Sequence, residues 1–342
     1  MKKTKPLDLF NLILASLIGM IFSGLNSRFK INFPKKIGEY KFQEYAKITK
    51  RNSKTNGMFS YAVYCNSSGK KAFAKMWSGV VKDLNYYTLQ NEAILYQNLN
   101  RVIKRTSMSL PKKFKNIQIP QFIAKQETKN SLILLVDFVE GVEASKLNTK
   151  KQLEIYLKVF DFLSLLGSKF SAKEKGQIAT RDARIITLLY FPLLVKSILT
   201  HPKAFFSLLH GVPVFLQSIP IFIKQNQVTL SHRDLHLQNI LISKNKITLI
   251  DLQFCLFSNP LYDLLTTLKL HWSDKDFSQK LFVEINNRYG KNKDLDILVR
   301  GLMVISATHS LTGNNFTKSI IKKITNYLNF ALQSKFEVGI KN

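Results

Sequence analysis

The chain has 342 residues, 45% of them hydrophobic, which is enough for one large domain or two lobes with their own cores. Its 51 Lys and Arg against 22 Asp and Glu give a formal net charge of +29, which attracts nucleotides, phosphorylated substrates, nucleic acid or an acidic lipid surface. The sequence has no paired zinc ligands and no aromatic-flanked RNA-binding string, which disfavours nucleic acid, and its two cysteines exclude a disulfide framework.

The first 27 residues form an apolar segment behind lysines. Three lysines precede an apolar run from Leu7 to Leu25, and further basic residues follow it, so the positive-inside rule selects no orientation for a membrane span. Small or weakly polar residues recur at helical spacing within the run. We therefore expect a helix at 1–27 that lies in a membrane interface, with its lysines on lipid headgroups. A helix packed on the protein's own small lobe is the alternative.

Residues 38–141 have the pattern of a small β-rich lobe. Strand-like runs are separated by the turn-rich segments NSKTNG, which contains Gly57, and NSSGK. In the alternating run KAFAKMW lies Lys75, and the helix-like segment NEAILYQNL that follows carries Glu92, a natural ion-pair partner for that lysine. A buried strand is expected at SLILLVDFVEG (Ser131–Gly141). The other predicted strands are Tyr45–Thr49, Ser60–Cys65 and Lys71–Met76.

Two long stretches of the chain contain no acidic residue. The first, between Glu92 and Glu127, accumulates lysines and arginines and is interpreted as a solvated connector, with contact to anionic lipid as the alternative. The second, Ala183 to Arg233, is apolar. It is interpreted as buried helices of a large lobe, as the apolar wall of an acceptor-binding pocket or as a membrane-docking face. Four prolines are expected to cut it into pieces too short to span a bilayer: Pro192, Pro202, Pro213 and Pro220.

The rest of residues 142–342 is predicted to be mainly helical. A helix with one apolar side is expected at about Lys151–Phe170. Three further helix-like segments near the end of the chain have the character of scaffold: Asp276–Tyr289, Asp294–His309 and Phe316–Phe330.

The segment Ser231–Asp263 carries polar residues at spacings that suit phosphoryl transfer. Asp234 is followed five residues later by Asn239, and Asp251 closes the apolar run Lys246–Ile250. Phosphoryl transfer needs one carboxylate to orient an attacking hydroxyl and receive its proton, and two oxygen ligands to fix Mg²⁺ against the phosphates of ATP.

The order HxDxxxxN, a short hairpin and IDxQ resembles the catalytic and metal loops of the protein-kinase-like superfamily. Within it, SNPLYDLL most resembles the aminoglycoside/choline phosphotransferase family of small-molecule kinases, where a similar DPLYDLA follows the metal-binding aspartate. The resemblance covers about residues 40–310. It implies an α+β, two-lobed kinase-like fold with a small β-rich N-lobe at 38–141 and a mainly helical C-lobe at 142–342, preceded by the apolar N-terminal helix and carrying its catalytic block at 231–263.

The resemblance also implies roles in catalysis and metal binding. Asp234 is expected to accept the proton of the acceptor hydroxyl or to align that hydroxyl, in a catalytic loop that includes His232 and Arg233. Asn239 and Asp251 are expected to hold Mg²⁺, whose charge offsets the charge that builds on the transferring phosphoryl group.

The resemblance further implies residues that bind ATP or brace the catalytic loop. Lys75, held by Glu92, is expected to contact the ATP phosphates. Further contacts with ATP are expected from Gly57 of the covering loop and from the hinge after the buried strand, which contains Phe138, Val139 and Glu140. Asp263 and His236 are expected to brace the catalytic loop.

The short segment between Asp251 and Asp263 bears on the acceptor. Protein kinases need a long activation segment ending near APE, whereas Asp263 follows Asp251 by only twelve positions, no APE follows, and Leu252-Gln253 replaces the Phe-Gly of DFG. We predict an ATP- and Mg²⁺-dependent phosphotransferase acting on a hydroxyl of a small molecule or a lipid-linked headgroup. A protein kinase or lipopolysaccharide-kinase-like enzyme is one alternative. A nucleotide-binding pseudokinase scaffold at a membrane, motivated by the glycine-poor loop around Gly57, is another.

The predicted location follows from ATP use and from the charge. Because ATP confines an active kinase to the cytosol, a cleaved signal peptide at 1–27 is not expected, and the two cysteines fit a reducing compartment. The apolar N-terminal segment and the net positive charge favour a cytoplasmic protein at the inner face of the membrane, with an anionic lipid surface as partner.

Overall fold

The computed structural model describes residues 32–46, 59–181, 183–225, 228–272, 274–290, 293–312 and 317–333. The predicted helix at 1–27 and Gly57 lie outside these residues. The chain forms two compact units, each assembled from segments that are distant in sequence. The first unit contains the described residues up to Ala144 together with Lys169–Ala179 and Gln238–Cys255, and the second contains Ser145–Ser168, Thr180–Leu237 and the described residues from Leu256 onward.

The first unit is built on a six-stranded antiparallel sheet with the order β1-β2-β3-β4-β7-β6. Of the strand predicted at Tyr45–Thr49, Tyr45 ends β2 and residues 47–49 lie outside the described part of the chain; Gly38, with a positive φ of 57°, closes a tight turn between β1 and β2. The other predicted strands of this lobe are present. The strands are β1 (Lys36–Ile37), β2 (Tyr40–Tyr45), β3 (Ser60–Cys65), β4 (Lys71–Ser78), β6 (Phe122–Glu127) and β7 (Ser131–Asp137).

Helix α1 (Leu84–Thr106) follows β4 in the same unit. Asp83 caps its N-terminus by accepting hydrogen bonds from the backbone amides of Asn85 and Tyr86, and it also accepts one from the Trp77 indole at 2.9 Å. One face of α1 is buried at helical spacing, through residues such as Leu89, Ala93, Tyr96 and Leu99. The cap and this apolar face fix the helix that carries Glu92.

A smaller four-stranded sheet of the first unit has the order β5-β12-β11-β8. Its central hairpin turns at Lys244, which adopts a left-handed φ of 53°. The hairpin brings together the residues that precede β11 and follow β12, which is where Asn239 and Asp251 lie in the sequence. The strands are β5 (Ile117–Gln118), β8 (Val142–Glu143), β11 (Ile240–Ser243) and β12 (Lys246–Leu249), and the short helix α3 (Ala172–Lys175) also belongs to this unit.

The second unit is mainly helical. Its short sheet has the order β10-β13-β9, with β13 antiparallel to β10 and parallel to β9. The central helix, Lys293–Ser310, packs against four other helices of this unit: Ala183–Thr200, Phe205–Lys224, Leu261–Leu270 and Lys318–Leu332. The elements are α2 (Thr149–Lys169), β9 (Thr180–Arg181), α4 (Ala183–Thr200), α5 (Phe205–Lys224), β10 (Thr229–Ser231), β13 (Leu256–Ser258), α6 (Leu261–Leu270), α7 (Lys275–Tyr289), α8 (Lys293–Ser310) and α9 (Lys318–Leu332).

The prediction that prolines break residues 183–233 into pieces too short to span a bilayer is wrong for three of the four, and only Pro202 lies at a break between helices. Helix α4 continues through Pro192, and α5 continues through Pro213 and Pro220. Each internal proline removes one backbone donor and strains the preceding turn, but all three lie on exposed positions, where the carbonyl left without a donor is able to bond water. By length and composition, one helix in the described part of the chain, Pro202–Lys224, is able to cross a membrane, a test that core helices of soluble proteins also pass.

The predicted fold class is confirmed for the described residues. A β-rich unit contains Lys75 and Glu92, and a mainly helical unit contains most of the chain after Ala144. The division of the sequence into lobes at residues 141 and 142 stays a prediction.

Candidate active site

In the first unit, the ammonium group of Lys75 is surrounded by three side-chain oxygens. Its Nζ donates to Glu92 Oε2 at 2.9 Å, to Asp251 Oδ1 at 2.9 Å and to Gln253 Oε1 at 2.7 Å. The Phe59 ring lies on a fourth side, with its centroid 4.7 Å from Nζ. The structure therefore brings together a lysine, a glutamate and an aspartate that the sequence separates by up to 176 positions.

Lys75 is buried and charged. Its place in β4 pairs it with Tyr61 of β3 and Leu134 of β7, and both neighbouring strands exclude water. Burial lowers the pKa of Lys75, but Asp251 and Glu92 raise it by more, so its pKa is above the ordinary value. The lysine therefore presents a fixed positive charge, with two of its three anchoring oxygens supplied by residues 251 and 253.

Glu92 is the fully buried partner of this lysine. Burial raises the pKa of Glu92 to about 7, against the opposing charge of Lys75. An unpaired carboxylate at this depth would be strongly unfavourable, so Glu92 depends on Lys75 for its charge as much as Lys75 depends on Glu92 for its position.

Asn239 and Asp251 lie at the two open ends of the β11–β12 hairpin in the first unit. The Ile250 amide donates to the Asn239 backbone carbonyl at 2.9 Å, which holds the two segments together. Asp251 adopts a left-handed φ of 57°, an unfavourable conformation for a residue with a Cβ that is retained mainly where function needs it. The pair offers one amide and one carboxylate oxygen, which are the hard ligands that Mg²⁺ accepts.

In the second unit, Asp234 lies in a loop after β10 and is paired with His236. The His236 Nε2 and Asp234 Oδ1 atoms are 2.5 Å apart, and the His236 amide donates to the Asp234 carbonyl at 2.8 Å. Arg233, immediately before Asp234, adopts a left-handed φ of 61°. The loop is thus held in an unusual backbone conformation at the position where the sequence places the catalytic aspartate.

Asp263 fixes this loop from the N-terminal end of α6. Its carboxylate accepts hydrogen bonds from the backbone amides of His232 at 2.8 Å and Arg233 at 2.6 Å. Its own carbonyl accepts a bond from the Tyr156 hydroxyl at 2.6 Å. Burial raises the pKa of Asp263, although the two amides and His232 oppose that effect. Asp263 therefore contacts the backbone of the loop.

The residues predicted to line the adenine site follow β7 in the first unit. The Phe138 amide donates to the Lys71 carbonyl at 3.3 Å, and the Glu140 carboxylate lies 3.6 Å from the Lys71 ammonium. Val139 lies between them. Gly57 lies outside the described residues, so its predicted contact with ATP stays a prediction.

Sequence reasoning missed several residues of these two sites. Gln253 was visible only as a departure from the Phe-Gly of DFG, and Phe59 carried no motif at all. In the second unit, Arg181, Lys269 and His309 act electrostatically on one another or on Arg233 and Asp234. They come from three separate elements, so no local spacing reveals them.

A family model matches part of the chain. The model of the phosphotransferase enzyme family matches residues 201–297, which include the loop of Asp234, the hairpin with Asn239 and Asp251, and Asp263. No curated protein sequence matches the chain. The matched part thus contains the segment Ser231–Asp263, which carries the resemblance.

Solved structures with the same fold include those of the aminoglycoside phosphotransferase APH(4)-Ia. The apo form of a thermostable mutant has 11% sequence identity and a TM-score of 0.54, over 85% of this chain and 94% of that one. A variant in a ternary complex with AMP-PNP and hygromycin B has 11% identity and a TM-score of 0.55, over 90% of this chain and 97% of that one. Another structure of APH(4)-Ia has 12% identity and a TM-score of 0.53, over 93% and 98%. Together the comparisons confirm the resemblance: residues 201–297 match the phosphotransferase enzyme family, and the fold is similar to that of the aminoglycoside phosphotransferases.

Proposed function

We propose that this protein transfers the γ-phosphoryl group of ATP, with Mg²⁺, to a hydroxyl of a small molecule or a lipid-linked headgroup. The observation that carries the proposal is the contact of the buried Lys75 ammonium with both Glu92 and Asp251, at 2.9 Å each. A lysine held by a helix glutamate and placed beside a potential metal ligand is the arrangement that phosphoryl transfer from ATP requires.

On the nucleotide side, Lys75 supplies a fixed positive charge for phosphate oxygens. Glu92 holds the ammonium in place, so little reorganisation is needed when the phosphates arrive. Asn239 and Asp251 fit the preference of Mg²⁺ for one or two protein oxygens completed by water and substrate phosphates. Bound there, Mg²⁺ would neutralise charge on the phosphates.

On the acceptor side, Asp234 orients the attacking hydroxyl and takes its proton. The hydrogen bond with His236 fixes the direction of the Asp234 carboxylate, and Asp263 fixes the backbone of the loop. Only four residues separate Asp234 from Asn239 in the chain, which supports their action on one phosphoryl group.

The acceptor is not expected to be an aminoglycoside, although the neighbour APH(4)-Ia has been crystallised with hygromycin B. Aminoglycosides are polycations, and a chain of net charge +29 without an acidic residue between Asp182 and Asp234 would repel them. A neutral or anionic acceptor, free or attached to a lipid, suits this charge better.

The test is an unbiased search for the acceptor. Incubation of the protein with labelled ATP, Mg²⁺ and fractionated lipid and metabolite extracts should place label in one of these two pools. Label on proteins would instead favour a protein kinase. Binding of Mg-ATP in a calorimeter without transfer to any pool would favour a pseudokinase scaffold, and the absence of Mg-ATP binding would contradict both ideas.

We also propose that the enzyme works at an anionic membrane surface. Helices α4 and α5 bury one side against α8, yet their other side is also apolar. This side, called the exposed α4–α5 face, includes Leu188, Val195 and Leu199 of α4 and Phe206, Leu209 and Leu216 of α5. Soluble monomers rarely leave so many large apolar side chains together in water without a partner.

The charges around the exposed α4–α5 face match an anionic lipid surface. The exposed lysines Lys196, Lys203 and Lys224 accompany the apolar side chains, and the two helices contain no acidic residue. Apolar insertion and attraction of about 1 kcal/mol for each basic residue near an anionic surface reinforce each other. This combination supports lipid, rather than a protein surface, as the partner.

Flotation with vesicles tests the location. The full chain should float with vesicles containing anionic lipid at low salt and less with neutral vesicles, because the lysines contribute only at an anionic surface. The double variant Leu199→Gln, Phe206→Gln should lose a large part of this binding, since these side chains are 76% and 74% exposed and their replacement leaves the core intact. The matched control is Val283→Gln, which changes a 41% exposed side chain on α7. Equal flotation of the double variant and the wild type would show that the exposed α4–α5 face does not contact the membrane.

A further inference from the structure

Four basic side chains of the second unit form a group around the loop of Asp234. Arg181 lies on β9 and Arg233 follows β10, the two strands that flank β13. Lys269 lies near the C-terminal end of α6, and His309 lies at that of α8. We call these four residues the basic cluster. They come from four different elements, so the fold, and not a basic sequence run, gathers the positive charge.

The two arginines of the basic cluster have buried nitrogens without a hydrogen-bond partner. Arg181 Nε and Arg233 Nη1 are both buried and unbonded among the described residues. The Arg233 guanidinium lies over the Tyr262 ring, 4.3 Å from its centroid, a contact that uses the face of the guanidinium and provides no hydrogen-bond acceptor for Nη1. Native structures rarely leave such groups unsatisfied unless a ligand or an ion completes them.

Arg181 is surrounded by positive charge. Burial and the charge of Arg233 lower the pKa of Arg181, while Tyr262 opposes them. No carboxylate among the described residues stabilises it. An arginine remains protonated even so, because its ordinary pKa lies far above neutrality. Within the described part of the chain, two cationic guanidinium groups thus act on each other without an acidic partner.

Lys269 and His309 extend the cluster. The Lys269 ammonium donates to Ser310 Oγ at 2.5 Å, which places it beside the turn of α8 that carries His309. Burial lowers the pKa of Lys269 to about 8, with Asp234 opposing. Burial, Arg233, Lys269 and Arg181 lower the pKa of His309 to about 3, again against Asp234. His309 is nevertheless accessible to solvent, so a ligand is able to reach it.

The two carboxylates near the cluster among the described residues each have another partner. Asp234 is paired with His236 at 2.5 Å, and Asp263 accepts from the backbone amides of the loop. Arg181 interacts with neither of them in the described part of the chain. Among the described residues the cluster therefore carries a surplus of positive charge that costs stability, and such a cost is typical of a site that is completed by a bound ligand.

We propose that the basic cluster binds an oxyanion carried by the acceptor, so that the substrate is an anionic alcohol. The inference rests on the proposed function and deepens it. Two guanidinium groups, each with one buried nitrogen that is unbonded among the described residues, suit a phosphate or carboxylate, which accepts bidentate bonds, and Lys269 adds a third charge. Because the cluster surrounds the loop of Asp234, an anion bound there would position a hydroxyl of the same molecule near that carboxylate. The oxyanion belongs either to a lipid headgroup or to a free phosphorylated or carboxylated metabolite.

The first test measures binding without catalysis, with inorganic phosphate as the probe. Phosphate should raise the melting temperature of the wild type and the apparent pKa of His309, observed by NMR and assigned with the variant His309→Gln. Arg181→Gln should abolish both responses. Without phosphate, it should melt at the same temperature as the wild type or higher, because repulsion is relieved. Lys280→Gln, an exposed control on α7, should behave as the wild type. A purely structural arginine would give the opposite result, with a lower melting temperature for Arg181→Gln and an unchanged phosphate response.

The second test uses turnover and separates failure of the inference from failure of the function. The extracts are divided by anion exchange, and phosphoryl transfer should occur only to the retained, anionic material. Label in the lipid fraction would indicate a lipid headgroup as the source of the oxyanion, and label in the water-soluble fraction would indicate a free metabolite. Arg181→Gln should lower kcat/KM for that acceptor at least tenfold and leave KM for ATP unchanged, with partial recovery in Arg181→Lys. Transfer to unretained material would overturn the anionic acceptor and leave the kinase. Phosphate binding without transfer to any fraction would overturn the kinase and leave the anion site.

Discussion

The variants Asp234→Asn and Asp251→Asn should each show phosphoryl transfer lowered by about 10²–10⁴-fold while the protein stays folded. Asp234→Asn removes the proton acceptor, so kcat should fall while KM for ATP stays near the wild-type value. Asp251→Asn removes a negative ligand, so the variant should also need a higher Mg²⁺ concentration for its residual activity. Steady-state kinetics across a range of Mg²⁺ concentrations distinguish the two.

The contacts of Lys75 explain why Asp251→Asn should not unfold the protein. Glu92 at 2.9 Å and Gln253 at 2.7 Å remain as partners of the ammonium, so the buried charge keeps an acidic neighbour. Asp276→Asn, which changes an exposed carboxylate on α7, is the matched control and should keep full activity. Unchanged turnover in Asp234→Asn or Asp251→Asn would contradict the roles assigned to these residues.

The sequence was informative where a function needs fixed local spacing. Asp234, Asn239 and Asp251 lie on one loop and one hairpin, so their order along the chain already reflects their neighbourhood in space. Lys75 and Glu92 were recognised because a strand and the helix after it form a common local unit. Their 2.9 Å contact with each other agrees with that local reasoning.

The sequence was less informative where tertiary packing decides. The prolines of α4 and α5 weaken a helix locally, but packing against α8 maintains both helices, so the expected breaks do not occur. The basic cluster is assembled from four parts of the chain between residues 181 and 309, and apart from Arg233 of the catalytic loop its members resemble ordinary surface residues in the sequence. Only the absence of acidic residues from 183 to 233 gave an indirect sign of it.

Gly301→Ala should strongly destabilise the second unit, although alanine is the better helix former. In an exposed helix the change would gain about 1 kcal/mol. Here α8 lies so close to α5 that an added Cβ would meet Ser218 Oγ at 2.0 Å and Ser218 Cβ at 2.2 Å. The Cβ atom is not the mobile end of a side chain, so the helices must separate, and overpacking of this kind costs about 1–3 kcal/mol and occasionally more. We expect the clash to outweigh the gain in helix propensity, with a net loss of about 2 kcal/mol in the free energy of unfolding.

Denaturant unfolding of three further variants tests whether the helix contact is the cause. Ser218→Gly should partly restore the stability of Gly301→Ala, because it removes both atoms that the new Cβ meets, whereas Ser218→Ala keeps the Cβ and should not. Gly176→Ala is the control without a clash, because an added Cβ there would lie 3.4 Å from its nearest neighbour, the Ala172 carbonyl oxygen. Since α8 also carries His309, loosening its contact with α5 should weaken the phosphate response of the basic cluster, and Ser218→Gly should restore that response in parallel with stability. A Gly301→Ala variant as stable as the wild type would show that the two helices have room to move apart.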